Sequence, residues 1–273
     1  MSNNKNVENI TNTSNILTIM DPIQYRGVLY RFRNWESDRR FAEDIICNHR
    51  LYVSTAVDNN ANDPQEMNNK IYTLADDYSK VELYEDGVPS SALADITESM
   101  VFSNRMDELR RRLDRENIYF CCFSKGYRNE QMWENYGECH KGICIEFSHL
   151  HENLTKCLVL PVEYKNEEQR NINATNQQNL QRLVQAPLSC LYATKRMDFA
   201  YEDEVRYLFL DKSDLSLKAD HYYLYFQPEC ITRIIAGRDM SEEVFSKLKN
   251  SVMMHLPHAA VIRYGQGEQD FNE

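Results

Sequence analysis

Two carboxylates and a guanidinium sit close together in "FAYEDEVRYLFL", residues 199–210. Glu202, Glu204 and Arg206 occupy alternate positions of this stretch. It is rich in aromatic and aliphatic residues and lacks Gly and Pro, which predicts a β-strand. Alternate residues of a strand share a face, so the three charges are expected to lie together. Arg206 can pair with Glu204 across the two-residue step. Glu202 then needs Lys195, Arg196 or a ligand, because a lone buried carboxylate is costly. Carboxylates held in this way can stabilise a developing positive charge or carry a proton. A solvated strand face, or a sheet edge protected by charge, would use the same residues without chemistry.

A second group lies early in the chain. "VLYRFR" (28–33) reads as a strand carrying Tyr30, Arg31 and Arg33. Alternation puts Arg31 and Arg33 on one face, where two guanidiniums can grip a diphosphate through paired charge-assisted hydrogen bonds. "RLYVST" (50–55) reads as the next strand and ends near Ser54. The turn "AVDNNANDP" follows with Asn62 and Asp63.

The third group is "CFSKGYRNEQMWENYGECHKGICIEF", residues 122–147. A short helix over 129–139 presents Trp133 and Tyr136. Gly142 is expected to end the following turn with a positive φ. Trp133, Tyr136, His140 and Lys141 around a strand–helix–strand crossing would form a pocket wall. Trp133 serves equally well as an anchor of that helix in the core.

These groups need a scaffold. Strands are expected near 28–33, 50–55, 117–124, 142–147, 157–164, 203–210, 221–226, 230–236 and 258–264. Helices are expected over 36–49, 64–84, 91–116, 129–139 and 240–256, the last entered through Asp239 or Ser241 as a cap. Residues 166–197 read as helical and polar. The pattern is α+β: one mixed domain, residues 21–273, with about eight strands and flanking helices, after an Asn-rich tail over 1–20.

The chain has 273 residues and a formal net charge of −11. That balance disfavours general binding to nucleic acid or to an anionic membrane, though a local basic pocket remains compatible with it. No apolar run reaches the length of a membrane span, and the first residues lack the apolar segment of a secretory signal. A cytoplasmic protein with reduced thiols is expected from its eight cysteines. A zinc site at Cys121, Cys122, Cys139, His140 and Cys144 is disfavoured, because no CxxC pair occurs and adjacent strand residues point to opposite faces. No resident metal is expected.

Taken in order, "LYRFR", "LYVS…NDP", the block from Met132 to Phe147, "VEY" and "YEDEVR" resemble the bacterial domain-of-unknown-function family 2971 from about residue 28 to 237. The spacing "MW-x-x-Y-G-x-x-H-K-G-x-C-I-E-F" is the specific part. That family name supplies no chemistry. The chain is also similar to ADP-ribosyltransferase folds. These carry an Arg or His on an early strand, a Ser or aromatic residue ending the next, and Glu-x-Glu on a late strand. The block around Trp133 has no counterpart in that three-part pattern. The resemblance implies an ADP-ribosyltransferase-like fold with NAD as substrate. Arg31 would hold the phosphates or nicotinamide ribose, Ser54 would brace the site, and Glu204 would be the catalytic carboxylate. Glu202 would orient or deprotonate the acceptor. Tyr30, Arg33, Asn62, Trp133, Tyr136, His140 and Arg206 are the further candidates for holding the nucleotide.

Three functions follow as expectations. The first is an NAD-consuming enzyme, an ADP-ribosyltransferase or NAD glycohydrolase acting as a toxin or antiviral effector on an unidentified acceptor. The second is a non-enzymatic module that binds a ligand or partner through Trp133, Tyr136 and Tyr201. The third is a metal-dependent nuclease with Asp63, Glu202 and Glu204 as oxygen ligands.

Overall fold

The computed structural model describes residues 23–55, 118–152, 154, 157–166, 192–209 and 212–265, with the backbone of a small hairpin at 84–85 and 88–89. The expected tail over 1–20, the helices over 64–84 and 91–116, and Asn62 and Asp63 lie outside these residues, apart from Tyr84, which falls in the hairpin.

The strands, in chain order, are β1 Leu29–Arg33, β2 Arg50–Thr55, β3 Tyr84–Glu85, β4 Val88–Pro89, β5 Tyr119–Ser124, β6 Ile143–Phe147 and β7 Cys157–Pro161. They continue as β8 Glu163–Lys165, β9 Thr194–Arg196, β10 Glu204–Phe209, β11 Ser216–Lys218, β12 His221–Tyr225, β13 Ile231–Ala236 and β14 Ala260–Arg263. Among the described residues, the α-helices are α1 Arg40–Ile46, α2 Glu130–Tyr136 and α3 Glu242–His255. The fold is mixed α+β, built on one ten-stranded sheet. Its main path is β11-β12-β2-β5-β1-β6-β13-β14, and β10 joins β5 to β7.

Alternation along the strands divides the two faces. Leu29, Ile145, Phe147, Phe123, Tyr207 and Ile234 point to a large apolar core that also takes Ile45 and Ile46 of α1 and Phe245, Leu248 and Val252 of α3. Residues one position away face the other side, where Phe32, Cys144 and Ile235 pack with Met132 and Trp133 of α2. Helix α3 buries residues at steps of three and four, as an amphipathic helix must. Of its two expected caps, Ser241 is the one used: its hydroxyl accepts from the Val244 N–H. The helix links β13 to β14, which pair in parallel and therefore need such a crossover.

The sheet is split beside β5. One edge of β5 pairs with β10 along its whole length, from Tyr119↔Phe209 to Ser124↔Glu204. The other edge meets β2 only at Tyr119 and Phe120, and β1 only at Ser124. Strands β1 and β2 diverge between these points, leaving Cys121–Phe123 without a strand on that side among the described residues. Arg31 fills part of the gap by donating from Nη1 to the Cys122 carbonyl at 2.8 Å.

Several expectations change. Residues 199–202 are not strand; they belong to a 3-10 helix, Met197–Glu202. Asp203, left-handed at φ 40°, ends it and starts β10. Glu202 therefore does not share a strand face with Glu204. Strand β10 is neither edge nor solvated: it lies between β5 and β7, and all six of its residues are buried. Residues 194–196, expected to be helical, form β9, and β11 was not anticipated. Such strands are three residues long, too short for a period to register. Gly142 has no positive φ; Glu138, Cys139 and His140 take that conformation at 53°, 50° and 63°. Gly142 is needed for space instead, because a Cβ there would lie 2.4 Å from the Arg33 carbonyl oxygen.

Candidate functional site

A cavity of about 570 Å³ opens where the sheet splits. That lies within the usual size of small-molecule sites, ~300–1,000 Å³. Its walls include Arg31 and Arg33 from β1, Ser54 from β2, and Lys195, Glu202 and Glu204 from β9, the 3-10 helix and β10. Tyr30 and Tyr136 also line it. Chain segments as far apart as residues 31 and 204 thus meet in one cleft.

The carboxylate end is assembled from five elements, α2, β8, β9, the 3-10 helix and β10. The Lys195 ammonium lies 2.6 Å from Glu202 Oε2 and 3.3 Å from Glu204 Oε2. Tyr136, the last residue of α2, donates its hydroxyl to Glu202 Oε1 at 2.5 Å. Arg206 forks onto Glu204, with Nε 2.7 Å from Oε1 and Nη2 3.3 Å from Oε2. Its Nη1 donates to the Tyr192 carbonyl. The Glu204 backbone N–H donates to the Tyr164 hydroxyl at 2.8 Å. The Lys195, Glu202 and Glu204 side chains are only 4 to 6% exposed.

The two carboxylates differ in acidity. Burial alone would raise Glu204, but Arg206 and Lys195 outweigh it and hold the group far below the usual carboxylate range. Glu202 is raised: burial pushes it up, Lys195 pulls down, and the neighbouring Glu204 anion pushes up again. The two shifts run in opposite directions, so Glu202 holds a proton more readily than Glu204. Divergence of this kind separates fixed charge from acid–base work.

The guanidinium end is built differently. Among the described residues, neither Arg31 nor Arg33 has a carboxylate within ion-pair distance. The buried Nε atoms of both lack a hydrogen-bond partner. Among the described residues, Arg33 Nη1 donates to the neighbouring Phe32 carbonyl alone. Burial, and next the positive Arg31, push Arg33 well below the usual guanidinium value. Two half-buried cations with no counter-charge among the described residues make this end of the cleft attractive to an anion, against a chain of net charge −11.

Of the expected site residues, the cleft brings together Tyr30, Arg31, Arg33, Ser54, Tyr136, Glu202 and Glu204. Arg206 stands behind Glu204 and does not line it. Trp133 and His140 do not line it either. Trp133 is fully buried, with its indole N–H on the Tyr127 carbonyl and its ring against Phe32. His140 is 2% exposed and stacks on Trp133 and Tyr264. Apolar packing therefore took Trp133, as its anchoring reading expects, and stacking together with polar contacts to Glu130 and Arg238 took His140.

Sequence reasoning missed Glu138. Its carboxylate accepts from three consecutive backbone N–H groups, Trp35 and Glu36 at 2.9 Å and Ser37 at 2.6 Å. It thereby ties the loop after β1, whose Asn34 and Asp38 line the cleft, to the turn after α2. No local pattern could reveal a contact across a hundred residues. Phe41 and Tyr52 were also missed as cleft residues. The signal was available for Phe41, an aromatic side chain on a short surface helix.

No group of three metal-ligating side chains gathers among the described residues. The Lys195 ammonium occupies the space between Glu202 and Glu204 in which the nuclease reading would place a cation. The seven cysteines among the described residues are free thiols. No helix among the described residues is long and apolar enough to cross a membrane.

Residues 132–207 match the model of a family described as "Protein of unknown function (DUF2971)". The resemblance to that family thus extends from within α2 to within β10. Tyr136, Tyr164, Lys195, Glu202, Glu204 and Arg206, the whole carboxylate end, fall inside the matched segment. Arg31 and Arg33 fall outside it. No curated protein and no solved structure matches the chain. The ADP-ribosyltransferase likeness rests on the residues alone.

Proposed function

We propose that the cleft binds NAD and cleaves its nicotinamide–ribose bond, as an ADP-ribosyltransferase or NAD glycohydrolase. The observation that carries this reading is the meeting on one cavity of two carboxylates and two guanidiniums that have no carboxylate partner among the described residues. Arg31 and Arg33 take the diphosphate. Glu204, kept ionised, stabilises the positive charge that develops on the ribose as nicotinamide leaves, as a fixed carboxylate does in glycoside cleavage. Glu202 accepts a proton from the incoming water or acceptor. Ser54 and Tyr136 brace the walls. Such an activity suits a bacterial toxin or antiviral effector working in the cytoplasm, where NAD is available.

The assay is nicotinamide release from NAD by the purified chain, with cell lysate supplied as a source of acceptor. Release above a protein-free control supports the reading. Folded protein that binds NAD and releases none contradicts it. That outcome supports a second reading, a nucleotide-binding module. One observation favours that alternative: all four oxygens of Glu202 and Glu204 already have partners in Tyr136, Lys195 and Arg206.

A further inference from the structure

One wall of the cleft is aromatic, and neither charged end explains it. Phe41 on α1 is 42% exposed although it is a large apolar side chain beside a cavity. Its ring meets Tyr52 of β2 edge to face, with centroids 5.7 Å apart. Tyr52 is in turn held by two rings from β12, His221 at 5.4 Å and Tyr223 at 6.0 Å. Arg50 packs its guanidinium over Tyr223, 4.2 Å from the centroid, and pairs with Asp44 of α1 at 2.6 Å. The aromatic wall is therefore braced from behind on both of its elements, while the Phe41 ring stays open toward the cleft. Phe120 adds to the apolar lining of the cavity.

A rigid aromatic surface that shares a cavity with two guanidiniums, neither paired to a carboxylate among the described residues, selects for a ligand with both a flat ring and a negative charge. Rings stack on rings whatever the base, and phosphates pair with guanidinium. We infer that Phe41 and Tyr52 form a base-stacking subsite, so that the cleft prefers a nucleoside diphosphate to a diphosphate lacking a base. This rests on the reading of Arg31 and Arg33 as the phosphate grip.

Titration calorimetry with ADP and with inorganic diphosphate, at one ionic strength, tests it. ADP should bind about tenfold or more tightly than inorganic diphosphate, the scale of one base–aromatic stack. In Phe41→Ala that advantage should fall below about threefold, with inorganic diphosphate affinity unchanged. Phe41 is exposed, so the variant should fold, and circular dichroism checks this. A Tyr52→Phe control, which keeps the ring, should keep the advantage. Equal affinities for ADP and inorganic diphosphate in the parent protein overturn the subsite and leave the anion cleft standing. An ADP advantage that survives Phe41→Ala also overturns it. Binding of neither probe overturns the subsite and the phosphate grip together.

Discussion

Arg206 and Arg31 flank the same strand from opposite sides, Arg206 on β10 and Arg31 on β1, yet the fold treats them in opposite ways. Arg206 is 1% exposed and spends its guanidinium on Glu204 and the Tyr192 carbonyl. Arg31 is half-buried, donates to the Cys122 carbonyl, and keeps a buried Nε without a partner among the described residues. The carboxylate end is thus preassembled and close to neutral, with two anions against two cations. The guanidinium end is left charged. Preassembly suits groups that must hold a geometry through a reaction, and uncompensated charge suits groups that await a ligand. Only the preassembled end falls in the family-matched segment, residues 132–207.

Breaking the preassembled end should have the largest effect. Arg206→Leu leaves Glu204 buried with Lys195 alone, and unfolding by urea should show a loss of roughly 3–5 kcal/mol. The same pair sets an acid dependence. The folded pKa of Glu204 lies below its unfolded value of about 4.3, so its stabilisation is full above that value. It is lost as pH falls through the folded value. Glu202, shifted up, works in the opposite sense and destabilises as pH rises above its unfolded value. Removing Arg206 should therefore flatten the decline in stability on the acid side of about pH 4, measured by urea unfolding across that range.

The next effect is on turnover. Glu202→Gln puts a neutral isostere where burial already disfavours the charge, and Glu204 still holds Lys195. Nicotinamide release should fall about a hundredfold while stability moves by about 1 kcal/mol or less. An equal fall in stability and activity would make Glu202 a structural member of the cluster. Arg31→Ala sharpens the contrast from the other end. ADP affinity should weaken about tenfold or more, with a shallower dependence on salt and stability within about 1 kcal/mol of the parent.

The smallest effect belongs to the cleft's rim. Burial would raise the Glu138 pKa, but Ser37 and the three backbone donors hold it below the usual range. Glu138→Ala should cost about 1–2 kcal/mol from these charge-assisted bonds. The KM for NAD should rise more than kcat falls, because the loss acts through the loop carrying Asn34 and Asp38. Glu138→Gln, which keeps an oxygen for Trp35 and Glu36, should restore part of both.

The sequence made β1, β5, β6 and β13 legible because each is a run of aromatic or β-branched residues. It also called for Lys195, Arg196 or a ligand beside Glu202, since a buried carboxylate needs a partner, and Lys195 is the one that fills the place. It misplaced Glu202 because "FAYE" has the composition of a strand. Phe199 and Tyr201 instead use their rings against Lys195 and near Asn135, through a cation–π contact and a hydrogen bond. Trp133 and His140 were drawn toward the site by their chemistry, although packing had already claimed them. The split beside β5 had no signature, because it follows from which strands pair.

A crystal structure of the chain with ADP-ribose would test the division of the cleft most directly. The diphosphate should lie at charge-assisted distance, about 2.7–2.9 Å, from the Arg31 and Arg33 guanidiniums, with the terminal ribose beside Glu202 and Glu204. A diphosphate bound elsewhere, with both guanidiniums still unoccupied, would contradict the account.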